Sequence, residues 1–210
     1  MTKKQGDDRG ADRLDVDRVV ATALAVLDER GLAAVSTRAI AERLGVRMNT
    51  VLWHVKTKTG LLELMADAIV GEIGYDDLPT AAPERVRELA RRLRAAMLAH
   101  RDGAALVVGT YAAEANTLRF ADAVVAALLD DGRTERGAAW TTWTIIYFTL
   151  GLTQEEQAVT GALPGRLAAA VSATTHPALH RVLPHLDAES FDERFEFGLT
   201  AILRGTTPGE

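Results

Sequence analysis

Cysteine is absent from the 210-residue chain. That excludes disulfides, cysteine–zinc sites, thiol nucleophiles and thioredoxin-type redox chemistry together. The alternation of apolar and polar residues that marks half-buried strands is also scarce. Catalytic signatures are missing: no G-x-S-x-G, H-E-x-x-H, Walker loop or G-x-G-x-x-G occurs, so an enzyme would need catalytic groups that no motif announces. Met1 to Asp17 alternates charge and lacks the apolar core of a secretory signal. The longest uncharged run, Gly137 to Gln154, is 18 residues long and carries five threonines, which reads as a buried helix and not as a membrane span. The expectation is a cytoplasmic protein without metal or cofactor. Lysine is confined as well, since Lys3, Lys4, Lys56 and Lys58 are all the chain has.

What is present is ordinary in amount and uneven in placement. Hydrophobic residues make up 48% and charged residues 25%, near the average of a globular chain. Net charge is −5, yet residues 1–60 carry +3 and residues 61–210 carry −8. Between Arg30 and Gly60 six basic residues face the single acid Glu42. A basic block on an acidic body suits a module that binds a polyanion, although solvated clustering alone could also give it.

Helical spacing recurs throughout and predicts an all-α fold. Val16, Val19, Val20, Ala23, Leu24 and Leu27 form one stripe that Gly31 ends. Ser36 or Thr37 can cap a short helix, Thr37 to Leu44, and Gly45 supplies a turn. A second short helix spans about Met48 to His54, with Val51 and Val55 inward. A third, from Lys58 to about Ile73, uses Leu61, Leu62, Met65 and Ile69. Gly74 to Pro83 reads as a hinge. Longer helices follow, at about Pro83–His100, Gly103–Thr110, Ala113–Asp130, Glu135–Thr160 and Glu189–Arg204.

Two short helices joined by a glycine turn and braced on both sides form a helix-turn-helix, whose second helix enters the DNA major groove. With Val51 and Val55 inward, Asn49, Thr50, Trp53 and His54 face outward, with Arg38 before them and Lys56 and Lys58 beyond. Arg38, Lys56 and Lys58 can neutralise phosphates, Trp53 can lie on the backbone, and Asn49 can bond two base-edge atoms.

The stretch S-T-R-A-I-A-E-R-L-G-V-R-M-N-T-V-L-W-H-V-K-T-K, Ser36 to Lys58, resembles the DNA-binding module of the tetracycline-repressor (TetR) family. The likeness continues in H-R-D-G at His100 to Gly103, in Gly109-Thr110, in F-T-L-G at Phe148 to Gly151 and in F-x-F-G-L at Phe195 to Leu199. It implies a flexible arm at 1–14, a helix-turn-helix domain at 15–74 and a ligand-binding and dimerisation domain at 75–210. It further implies a homodimeric repressor of palindromic operator DNA, joined through the Glu135–Thr160 and last helices and released by a small molecule. A DNA-binding regulator without inducer, constitutive or controlled by a protein partner, stays open beside it.

Departures from the family pattern bear on specificity. Leu52 replaces a tyrosine of the recognition helix, and Met48 and Asn49 replace Gln and Pro, which implies a different operator. Val107 stands where a histidine helps bind the drug's magnesium ion, and Leu89, Leu93, Ala123 and Tyr147 replace other drug contacts. Thr110 and Glu155 are kept. The implied inducer is largely apolar, aromatic or polyketide-like, and bound without metal among Leu89, Leu93, Met97, Val107, Thr110, Trp143 and Tyr147, with His100 and Glu155 as polar contacts. Trp140, Trp143 and Tyr147, at i, i+3 and i+7, fit either plain core or dimer packing or a pocket wall. His176 and His180 have metal-ligand spacing but read as a surface pair.

Overall fold

The computed structural model describes residues 14–110, 113–158, 165–186 and 190–205. Residues 1–13, 111–112, 159–164, 187–189 and 206–210 lie outside them. Eleven α-helices and one 3-10 turn are found among the described residues, and no strand. The first four are α1 (Val16–Arg30), α2 (Thr37–Leu44), α3 (Met48–Val55) and α4 (Lys58–Gly71), with the 3-10 turn at Leu32–Ala34. Then come α5 (Ala82–Leu98), α6 (Gly103–Val108), α7 (Ala115–Asp130), α8 (Glu135–Ala158), α9 (Arg166–Ala170), α10 (Pro177–Leu186) and α11 (Phe191–Gly205).

Local chemistry fixes the ends of the first helices. The Asp15 side chain accepts the Arg18 N–H at 2.8 Å, Ser36 Oγ accepts the Ala39 N–H at 3.1 Å, and Thr57 Oγ1 accepts the Gly60 N–H at 2.9 Å. Each relieves one of the four N–H groups that a helix start leaves unpaired. Gly45 ends α2 in the left-handed region at φ 67°. Its N–H and that of Val46 donate back to the Glu42 and Ala41 carbonyls at 3.2 and 3.0 Å. This Schellman turn favours glycine, which adopts the left-handed region without a Cβ penalty, and it sets α3 across α2.

One continuous cluster of buried apolar side chains runs from Val19 in α1 to Leu203 in α11. α4 packs against α1 and α3 on one side and against α5, α6 and α7 on the other. The segment expected to be a hinge is tied down. Arg92 Nη1 donates to the Gly74 and Asp76 carbonyls at 2.7 and 2.9 Å, while Arg85 donates to the Pro79 and Thr80 carbonyls at 3.2 and 2.9 Å.

The apolar stripe of α11 finds its partner inside the chain. Phe195 and Leu199 are buried, α11 packs on α8, and Phe148 stacks on Phe195 with centroids 5.8 Å apart. Phe195 and Leu199 are therefore covered by α8 within the chain. Phe197, on the opposite side and 78% exposed, remains open. Around this contact Arg94 pairs with Glu156 in α8 and Asp192 in α11 at 2.8 and 2.6 Å. The helices meet at Gly198, where a Cβ would stand 2.1 Å from the Phe148 ring. Gly198→Ala should therefore overpack this crossing and cost about 1–3 kcal/mol. A thermal melt should show a midpoint lower by several degrees, and an unchanged midpoint would mean that the ring yields freely.

Candidate DNA-reading surface and ligand cavity

α3 is held by Val51 and Val55, both buried, and presents the rest of its surface outward. Met48, Asn49, Thr50 and Trp53 are exposed, Trp53 by 74%. Leu52 and His54 are half-buried at the flanks, and Arg38, Lys56 and Lys58 are exposed around them. All nine residues expected at the reading surface thus lie on or beside one helix face.

The turn after α3 is strained. Lys56 has φ 63° and ψ −57°, and the Thr57 N–H bonds the Val55 carbonyl at 2.7 Å. That is a γ-turn of the positive-φ kind, which costs on the order of 1–3 kcal/mol in a residue other than glycine. Gly60 permits it, since a Cβ there would meet the Val55 carbonyl at 2.6 Å. The turn lays the Lys56 ammonium over the Trp53 ring at 5.2 Å, with a bond to the Trp53 carbonyl at 3.1 Å. An ammonium has three donors, so Lys56 orients the tryptophan and keeps capacity for a phosphate.

Counting charges along the sequence overstated the basic surface at one point. Arg43 is held by Glu29 through two bonds of 2.5 and 2.6 Å, and this pairing lowers the Glu29 pKa and raises that of Arg43. The partner lies 14 residues away on α1, one position outside the segment with the basic excess.

The second site is a cavity of about 560 Å³ between α4, α5, α6, α7 and α8, within the range of small-molecule pockets. On α8 it is lined by Trp143, Ile146, Tyr147, Leu150, Gly151 and Gln154, which follow helical spacing. Trp143 and Tyr147 stack at 5.4 Å. Trp140 instead faces outward, 62% exposed beneath Arg136, so the three aromatics divide between a cavity wall and an outer surface.

Leu93, Val107 and Thr110 join Trp143 and Tyr147 in the lining, which makes five of the nine expected positions. The other four lie elsewhere. Leu89 and Met97 are fully buried on α5 and do not line the cavity. Glu155 is exposed and sits one step around α8 from Gln154, the position that does line it. His100 is held at a different junction. Its Nδ1 meets the Asp28 carboxylate at 3.1 Å and its Nε2 meets Glu72 at 2.9 Å.

Sequence reasoning missed the walls formed by α4 and α7: Ala66 and Val70, and Thr117, Leu118, Phe120 and Ala121. Among the described residues the lining contains no His, Asp or Glu, and valine at 107 offers a metal ion no ligand atom. Thr110, Thr117, Tyr147 and Gln154 supply a few polar groups to an otherwise apolar wall.

The fold and these two surfaces define a helix-turn-helix protein with a hollow helical body. Residues 9–65 match the model "Bacterial regulatory proteins, tetR family" and residues 78–207 match "Tetracyclin repressor-like, C-terminal domain". The chain is 34% identical over 196 residues to tetracycline repressor protein class A from transposon 1721 of Escherichia coli, covering 92% of this chain and 90% of that protein. A possible TetR family transcriptional regulator from Streptomyces coelicolor A3(2) superposes with TM-score 0.81 at 39% identity, covering 91% of this chain and 98% of that one. ActR from Streptomyces coelicolor, solved in complex with actinorhodin, gives TM-score 0.82 at 28% identity, covering 92% and 95%. The chain belongs to the TetR family of bacterial regulatory proteins. Among the described residues no helix is long and apolar enough to cross a membrane.

The His100 junction joins the end of α1, the end of α4 and the turn between α5 and α6. Arg101 donates its backbone N–H to Asp28 at 3.2 Å, and Asp102 Oδ2 accepts the Leu32 N–H at 2.8 Å. Burial disfavours the charged imidazole, but the Glu72 and Asp28 carboxylates outweigh it and raise the His100 pKa. A raised native pKa gives stability that is complete below the ordinary value of about 6.5 and is lost as pH rises through the native one. The melting midpoint of the native chain should therefore exceed that of His100→Gln most at about pH 6, and the gap should narrow toward alkaline pH. A gap independent of pH would contradict the linkage.

Proposed function

We propose that the protein is a homodimeric transcriptional repressor that reads a palindromic operator with α3 and is released by a largely apolar, metal-independent inducer in the cavity. The observation that carries this reading is the juxtaposition of the two sites on one helix. α4 follows the reading helix directly, and its Ala66 and Val70 wall the cavity. A molecule that enters must touch the helix that carries the reading head. Asn49 is the base reader and Lys56, Lys58 and Arg38 hold phosphates; Met48, Thr50, Leu52, Trp53 and His54 shape the fit to the groove.

The apolar lining supports an aromatic or polyketide-like ligand, since each Å² of apolar surface buried contributes about 25 cal/mol. That ActR was solved with actinorhodin is in keeping with this class. The exposed Trp140 and Phe197, on neighbouring helices α8 and α11, supply apolar surface for a second subunit. The lack of any catalytic constellation in the motif record favours a regulator over an enzyme. For ligand to release DNA it must bind the non-binding conformation better.

The test is anisotropy of a labelled operator duplex. Asn49→Ala should cost about 1–3 kcal/mol at particular base pairs and little on random DNA. Lys58→Ala should weaken binding to every sequence and flatten the salt dependence by about one unit. Actinorhodin and other planar aromatic compounds should release the operator equally with and without a chelator. Release by tetracycline that requires magnesium would refute the pocket reading.

A further inference from the structure

α7 begins without a capping side chain of its own, since Glu114 at its N-cap makes no bond to the first turn. The unpaired N–H groups of a helix start need acceptors, and these come from another helix. Asp67 in α4 is 8% exposed. Its Oδ1 accepts the Thr117 N–H and hydroxyl, each at 2.8 Å. Its Oδ2 accepts Asn116 Nδ2 at 2.9 Å and the Asn116 N–H at 3.4 Å. The Asn116 amide also donates to the Asp67 carbonyl at 3.3 Å. Gly71, one turn further along α4, makes the room, because a Cβ there would stand 2.7 Å from Asn116 Nδ2.

This contact crosses the boundary between the two sites. Thr117 lines the cavity, and so do Ala66 and Val70 on the helix of Asp67. Filling the cavity loads the α4 and α7 walls, and the carboxyl of Asp67 fastens one wall to the other. We propose that Asp67 is the positioning residue of the response: gripped on Asn116 and Thr117, it makes α4 follow the first turn of α7, and α4 carries α3 with it. This rests on the reading of the protein as a ligand-responsive dimer. A short polar grip between packed helices has discrete engaged and released states, which turns a small displacement into a defined one.

The absence of cysteine allows a clean measurement. Spin labels are placed in the full chain at Glu42→Cys on the reading head or at Glu84→Cys on the body, both exposed positions, and distances across the dimer are read by pulsed dipolar spectroscopy. Ala121→Phe, on the cavity wall, serves as a built-in occupant. It should shift the separation at position 42 while that at 84 stays put. Adding Asp67→Asn, which replaces an acceptor by a donor, should abolish the shift, and Thr117→Val, which deletes only the hydroxyl bond, should shrink it measurably. If the Asp67 variant fails to fold, the milder Thr117 variant decides. A shift of undiminished size in both variants overturns the proposal, as does none in the latched protein. A chain with no dipolar signal at either label is a monomer, and overturns the dimeric reading and the latch together.

Discussion

The structure depends on a helix, α4, that is engaged by both the reading head and the body. Leu61, Met65 and Ile69 of α4 are fully buried, Ala66 and Val70 wall the cavity, and Asp67 and Gly71 form the seat of α7. Such a helix cannot shift within the reading head and stay fixed in the body, because protein interiors are packed too densely to absorb the difference. On the proposed reading, the head and the hollow body are two ends of one lever. Much of the remaining chemistry supports it. The tied linker, the His100 junction and the strained turn at Lys56 each remove a joint that would otherwise let one end move alone.

Polar contacts hold the α5–α6 turn from two sides. Gln157 in α8 bonds the Met97 and His100 carbonyls at 3.0 and 2.8 Å and accepts the Ala104 N–H at 2.9 Å. It clamps the α5–α6 turn from behind while His100, Arg101 and Asp102 grip the end of α1 from the front. Gly103 lies in this turn so close to the Met97 carbonyl that a Cβ would stand 2.3 Å from it. These residues make up the H-R-D-G motif, and their positions show what it does: it seats the end of the DNA-reading domain on the body.

The sequence made the reading head legible because its determinants are local. Ser36, Gly45 and Thr57 act within one turn of their own positions, and the Val51–Val55 pair orients α3 without help from distant segments. The cavity was legible only where spacing along one helix carried it, as with Trp143 and Tyr147. The walls supplied by α4 and α7 depend on how distant helices cross, which no periodicity encodes. The same limit explains His100 and Arg43. Both carry chemistry that suits a ligand or a phosphate, and both are claimed by acids that sequence separation hides. Phe148 and Gly198, in contrast, stand in two motifs quoted apart, and they meet as ring and gap at one helix crossing.

The central claim is that operator and cavity share one mechanical element, and coupling of this kind must be reciprocal. It can be tested without knowing the inducer. Amide hydrogen exchange of the full chain is followed with and without a saturating operator duplex selected from a random pool. The account predicts altered exchange in α3 and, with it, in α4 and the first turn of α7 around Asn116 and Thr117, far from any DNA contact. Altered exchange confined to α1, α2 and α3, with the cavity walls unchanged, would contradict it.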